Sequence, residues 1–438
     1  MIHRIMKGAA RGIGGAALAG LGGLAACAEA GAGATLTSTT ETTLAQAGAS
    51  NPTVALDDAS GVGYAAWVET TGGESDVFVA RIGLDGDDGE RVRVNHIPGD
   101  AAPHAQAPAQ VATGPGNDVY VVWQNTRDVE WLDFGAADVR FARSGDGGRT
   151  WQPAITVNDD AQEAPARHTF HDIVVAPDGT IYVSWIDARV RDRERMEGYQ
   201  AAAAGESTEG APDAAAAEPG TEIRVARSTD GGRSFSDSVV LETNSCPCCR
   251  TSMAAGPDGA LYVTWRKIYE GDVRDIALAR STDGGRSFSE PMRVHLDGWV
   301  FPGCPHAGAD VTVDREGRVY VAWYTGAPDR TGAYLAVSED GGASFGPPTR
   351  LTPEGAIPTT QVSVTADGAG GVWVAWEDPE GEVPSVKLAR VVPDGTLQPV
   401  DLGGPAGALP SLAASDPHLA AAWLEGESVH VLRGIDED

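Results

Sequence analysis

Seven short apolar runs, each closing on a tryptophan, set the rhythm of this chain. They are GYAAW ending at Trp67, VYVVW at Trp123, IYVSW at Trp185, LYVTW at Trp265, VYVAW at Trp323, VWVAW at Trp376 and LAAAW at Trp423. Runs this short, rich in β-branched and aromatic residues and lacking a polar face, predict strands buried on both sides. Most follow a turn signal, as at Pro177-Asp178-Gly179, Pro257-Asp258-Gly259, Arg315-Glu316-Gly317 and Ala366-Asp367-Gly368. Another short strand precedes the turn, as at 172–176 and 310–313. A third follows the Trp strand, as at 223–227 and 276–280, and a fourth comes after it, as at 154–157 and 292–295. Four strands in a unit of about 50–60 residues is the period of a propeller blade.

A second repeat marks the link between third and fourth strands. The phrase S-x-D-G-G-x-[ST]-[FW] runs from Ser144 to Trp151, Ser228 to Phe235, Ser281 to Phe288 and Ser338 to Phe345. Its Ser and its Asp (Asp146, Asp230, Asp283, Asp340) can accept backbone N–H bonds and hold a tight loop. Its Gly-Gly pair supplies positive φ, and its last aromatic can pack between neighbouring elements. The pattern resembles the Asp-box (BNR) repeat of the sialidase-like β-propellers.

The expected fold is therefore all-β, a β-propeller of four-stranded blades. Seven Trp strands give seven blades, and six, the sialidase number, is the alternative. The last unit, 412–433, lacks a fourth strand of its own. Residues 35–44 (TLTSTTETTL) can supply it and close the ring, leaving no open sheet edge. Residues 35–438 then form one domain. It carries an insertion at about 196–220, whose 200–220 part is low-complexity and reads as disordered surface chain. The charge run 189–195 reads as a solvated loop.

The resemblance covers most of the chain, but only through the repeats. It implies retaining glycoside hydrolysis by a Tyr nucleophile with an assisting Glu, an Asp acid/base and three Arg that hold the sugar carboxylate. The family's Arg-Ile-Pro signature is absent: the only Arg-Ile before the first unit is Arg4-Ile5, and no Pro follows. Arg127, Arg189, Arg250, Arg266, Glu69, Asp187, Tyr269, Tyr324 and Glu377 fall where they could reach the functional face. None lies on a family motif, so none takes a catalytic role. An exo-sialidase-type hydrolase is the alternative function, and a non-catalytic binding scaffold the second.

Charge and leader narrow the setting. The 438 residues carry a formal charge of −30, which argues against nucleic acid and against an anionic membrane surface. Residues 1–26 read as an export signal: His3, Arg4, Lys7 and Arg11 precede a Gly/Ala-rich apolar stretch too short to span a bilayer. Its end, Leu24-Ala25-Ala26-Cys27, resembles a bacterial lipobox. That implies lipidation at Cys27, a tether over 27–34, and a monomer held in the cell envelope, facing the periplasm, with the lipid as its sole membrane contact. Ordinary signal cleavage near Ala28 is the competing reading.

The chemistry-bearing residues gather where one unit crosses into the next. These crossings carry His104, then His168 and His171, then Cys246, Cys248 and Cys249, then Cys304 and His306. Propeller topology places all of them at one mouth of the central channel, where an unknown protein or small ligand would bind. Mixed thiolate and imidazole donors suit copper or zinc. The competing chemistry is disulfides or a redox pair, because four mature cysteines are an even number and export means an oxidising compartment. Three cysteines within four residues are awkward for two unstrained bonds.

Overall fold

The computed structural model describes residues 34–57, 60–83, 88–160, 163–204, 221–353, 361–379, 383–392, 395–403 and 405–436. The expected export signal, Cys27, nearly all of the expected tether and residues 205–220 lie outside the described residues. The described chain is all-β apart from one helix, Arg189–Ala203.

The strands form antiparallel four-stranded units in chain order. The first is Ala49–Leu56, Gly63–Thr71, Glu74–Ile82 and Val92–Arg93. The second is Gln110–Thr113, Val119–Gln124, Val139–Ser144 and Ile155–Thr156. The third is His168–Val175, Ile181–Asp187, Thr221–Ser228 and Val239–Ser245. The fourth is Ser252–Ala255, Leu261–Tyr269, Val273–Ser281 and Met292–Arg293. Ser245 pairs with Lys267, which joins the third and fourth units into one eight-stranded sheet. Then come Asp310–Val313, Val319–Thr325, Gly332–Ser338 and Thr349–Arg350, followed by Val362–Ala366, Val372–Asp378, Ser385–Val391 and Leu397–Val400. The last unit holds Ala408–Ser415, His418–Glu425 and Ser428–Asp436, with Leu36–Ala45 as its outer strand, antiparallel to Ser428–Asp436.

First strands pack on one another in chain order, and the last, Ala408–Ser415, packs on Ala49–Leu56. Side chains latch them together. Thr53 accepts the Val111 N–H at 3.3 Å, Asp172 that of Met253 at 2.7 Å and Ser252 that of Val311 at 3.2 Å. Asp310 accepts from Val364 at 2.9 Å, Ser363 from Leu412 at 3.1 Å and Ser411 from Val54 at 3.2 Å. These strands surround a polar cavity of about 320 Å³ whose lining includes Asp172, Arg250, Asp310 and Gln361.

The core lies between units. Trp67, Trp123, Trp185, Trp265, Trp323 and Trp423 are fully buried, and each strand runs on past its Trp, as far as Thr71 and Tyr269 in the first and fourth units. In VWVAW the most deeply buried ring is Trp373, and Trp376, three positions further on, is also buried. Each such burial is worth several kcal/mol as an upper estimate.

The four repeat loops share one geometry. In the first, Ser144 Oγ donates to Asp146 Oδ1 at 2.8 Å and accepts the Gly148 N–H at 2.9 Å. Asp146 also accepts the Thr150 N–H and Oγ1–H, at 2.9 and 2.6 Å. Gly147 and Gly148 take φ of 72° and 77°, where a side chain would be strained. The closing aromatics bridge units: the Phe235 ring stands edge-on to Phe141 of the preceding unit at 5.0 Å.

The charge run expected as a solvated loop is instead the first half of the helix, with Arg191 and Asp192 buried. Ion pairs to residues outside the helix hold it. Arg167 donates from its backbone and guanidinium to Asp192, and Arg189 bridges Asp187 and Asp159 at 2.7 Å each.

Candidate metal centre

The chain leaves the third unit along Val239–Ser245 and turns immediately into the cysteines. The Cys246 N–H donates to the Arg266 carbonyl at 2.8 Å, which ties the turn to the second strand of the fourth unit. Cys246, Cys248 and Cys249 are all buried. Cys246 Sγ lies 3.6 Å from the Sγ atoms of both Cys248 and Cys249, and the three sulfurs lie within 4.8 Å of one another. Among the described residues this is the one group of three or more His, Cys, Asp or Glu able to share an ion. All four described cysteines are free thiols.

The next crossing brings in the rest. The Ala307 N–H points at Cys249 Sγ at 3.4 Å. Cys304, three residues earlier and exposed, lies in this same crossing. Arg274 donates to Cys246 Sγ at 3.3 Å. Arg266, only 1% exposed, donates to the carbonyls of Ala307, Arg274 and Tyr324 at 2.8, 2.6 and 2.7 Å.

These contacts polarise the thiols. The S–H groups of Cys248 and Cys249, with Arg274 and Arg266, hold the Cys246 thiol well below its ordinary range. Cys248, as the donor to its sulfur neighbours, is pushed up, and burial pushes Cys249 up. The Cys248 S–H holds Cys304 down. Within the cluster Cys246 is the sulfur that its neighbours and the two guanidiniums favour as the acceptor.

Two imidazoles stand at the rim. The His104 ring lies 6.2 Å from His306 and edge-on to Phe170 at 5.1 Å. Burial and the His306 charge push His104 down, and its Nδ1 accepts the Gln106 N–H at 3.1 Å. Phe170, Asp272 and His306 account for three of the five non-glycine residues at positive φ among the described residues, strain of the kind that collects at functional sites.

The other two expected ligands lie in different networks. His168 faces Asp160 at 3.0 Å through Nε2 and the Ala137 carbonyl at 2.8 Å through Nδ1. Burial would lower its pKa, but Asp187 and Asp160 hold it above the ordinary value. His171 bonds the Pro108 carbonyl at 3.0 Å, and burial pushes it down to about 4. Both sit on the first strand of the third unit, not in the loop before it. The eight-residue set thus resolves into a thiol cluster, a rim of two imidazoles, and two histidines held by the scaffold.

The residues weighed for glycosidase chemistry are engaged elsewhere. Glu69 pairs with Arg91, Arg127 with Asp138, and Asp187 accepts from Trp185 and Arg189. Tyr269 lies under the Arg293 guanidinium at 3.5 Å, Tyr324 against Trp299, and Arg250 donates to the Val362 carbonyl. Glu377 is buried in the sixth unit.

No family model matches the chain, and no curated protein matches it. Solved structures share its fold. An ulvan lyase, a polysaccharide lyase, superposes with a TM-score of 0.56 at 10% identity, over 91% of this chain and 96% of that one. An α-L-arabinanase from Penicillium chrysogenum superposes at 0.50 and 15% identity, over 75% and 93%. A protein of unknown function from Dyadobacter fermentans does so at 0.50 and 12%, over 91% and 100%. The fold is of the propeller type. It is one used by glycoside hydrolases and polysaccharide lyases, and identities this low carry the fold alone.

Proposed function

We propose that this protein is an exported, lipid-anchored β-propeller of seven blades, closed by Leu36–Ala45, that holds zinc or copper(I) on a thiolate cluster at its crossing-loop face. The sulfur spacing carries the reading. Four thiolates placed tetrahedrally at about 2.3 Å from zinc lie about 3.8 Å apart, and Cys246 stands 3.6 Å from two of its neighbours. A disulfide needs about 2.0 Å. Charge supports it as well. Among the described residues, Arg266 has only carbonyl acceptors in the cluster, and the nearest carboxylate to Arg274 is Asp272 at 3.8 Å. Buried guanidiniums without anions are costly, and thiolates supply the anions.

Cys246, Cys248 and Cys249 would hold the ion, with Cys304 as fourth ligand and the ion replacing the protons of Cys248 and Cys249. The succession of latched first strands supports the seven-bladed ring, and the lipobox-like leader supports the anchor. Titration of the reduced mature protein with Zn²⁺ or Cu⁺ tests the reading. About one equivalent should bind with proton release, and Cys246→Ser should abolish it. Two disulfides in the protein as isolated, or binding that survives Cys246→Ser, would overturn it.

A further inference from the structure

Eight large apolar side chains stand exposed among the described residues, and seven of them lie at the end of the fold that carries the thiols. The most exposed are Phe134 at 82%, Leu296 at 75% and Ile97 at 63%. Phe134 lies in the link between second and third strands of the second unit, and Ile97 and Leu296 lie in crossings. Only the eighth, Val240, lies on an outer strand. The repeat-loop end has none among the described residues. Leu296 shares its crossing with Cys304, the one exposed thiol among the described cysteines. Exposed acids, among them Asp128, Glu130, Asp133, Glu270 and Asp329, rim the same end. Apolar anchors ringed by charge mark a docking surface.

The register says where the chain enters the fold. Ser428 pairs with Glu425 in the hairpin at the thiol end, so Ser428–Asp436 runs away from it. Leu36 pairs with Asp436. The chain that precedes Leu36 therefore joins the fold at the repeat-loop end. The acidic rim of the thiol end disfavours anionic headgroups.

We infer that the thiol end docks a soluble carrier protein, with apolar anchors inside a basic rim, that exchanges the soft metal ion with the cluster through Cys304. This rests on the thiolate reading above. The exchange is ligand for ligand: a donor atom of the carrier leaves the ion as the Cys304 sulfur takes its place, and the oxidation state is unchanged.

The test places a photo-crosslinking amino acid at Phe134, at Leu296 or, as control, at the exposed Glu339 of the repeat-loop end, in cells that natively make the protein. Both thiol-end positions should trap the same partner and Glu339 should not. That partner, purified, should bind the wild type in a salt-dependent way and the Phe134→Ser/Leu296→Ser variant at least tenfold more weakly. Adducts to lipid, to a second copy or to nothing would overturn the proposal, as would unchanged affinity in the variant. Zinc loading from a small chelator separates the two readings. Both proteins should load equally, and failure there overturns the thiolate centre, whereas failure of the carrier alone overturns the docking.

Discussion

The Asp172 carboxylate takes the Met253 backbone N–H at 2.7 Å across the boundary between the third and fourth units. Five other boundaries repeat this step with Ser, Thr or Asp, so a belt of side-chain latches runs around the inner strands. Ser363→Ala should therefore destabilise the protein by about 1–3 kcal/mol, the cost of leaving the buried Leu412 N–H without an acceptor. Urea denaturation would measure it, and a change below about 0.5 kcal/mol would remove the latch as a stabilising element.

One latch is pH-sensitive. Burial, with Asp310 nearby, pushes the Asp172 carboxyl up to about 7, above an unfolded value of about 4. The folded state then holds a proton that the unfolded chain releases. This contribution is complete below pH about 4 and is lost as pH rises to about 7. Asp172→Asn keeps an acceptor for Met253 but cannot ionise. The variant should gain stability relative to wild type across that window, and a pH-independent difference in melting temperature would refute the assignment. The repeat loops behave oppositely. Hydrogen bonds from Thr150 hold Asp146 down to about 2, so its contribution is present at neutral pH and lost only as pH falls from about 4 toward 2.

Thiol reactivity should follow burial. Cys304 is exposed and its three partners are buried, so intact mass under limiting iodoacetamide should show one fast adduct and three slow ones. Cys304→Ser should remove the fast adduct. Four equal rates would mean that the cluster does not exist in solution.

The guanidinium of Arg274 should tune the ion site. Arg274→Met removes the cation 3.3 Å from Cys246 and lets that thiol rise. Metal affinity, read against a competing chelator, should fall about tenfold at pH 6.5 and recover toward pH 9, where the thiolate forms without help. A loss that is equal at both pH values would point to packing in place of charge.

Much of the fold is written in local pattern. The Trp strands and the repeat loops lie where apolar runs and S-x-D-G-G phrases put them, because both are encoded within a few residues. The helix Arg189–Ala203 is not legible that way. It has no apolar stripe and no side-chain N-cap, and its anchors, Arg167 and Asp187, belong to other elements. The site was half legible. Cysteines placed in successive crossings converge, yet His168 and His171 already lie on the first strand of the third unit, where strand register turns them between units. Arg274 gave no loop signal, being a strand residue. Arg266 did carry a clue, a guanidinium directly after Trp265 in a run otherwise apolar on both faces.

The pairing of Leu36–Ala45 with Ser428–Asp436 joins the two extremes of the described chain; Thr37 Oγ1 reaches the Ile435 carbonyl across 398 positions. A nascent chain cannot make these contacts until residues 428–436 have been delivered, so this unit is the last to assemble. A product that stops before Ser428 would keep most of its sheets and leave Leu36–Ala45 without its partner strand, which gives the cell's proteases an open edge by which to tell such a molecule from one that carries the seam.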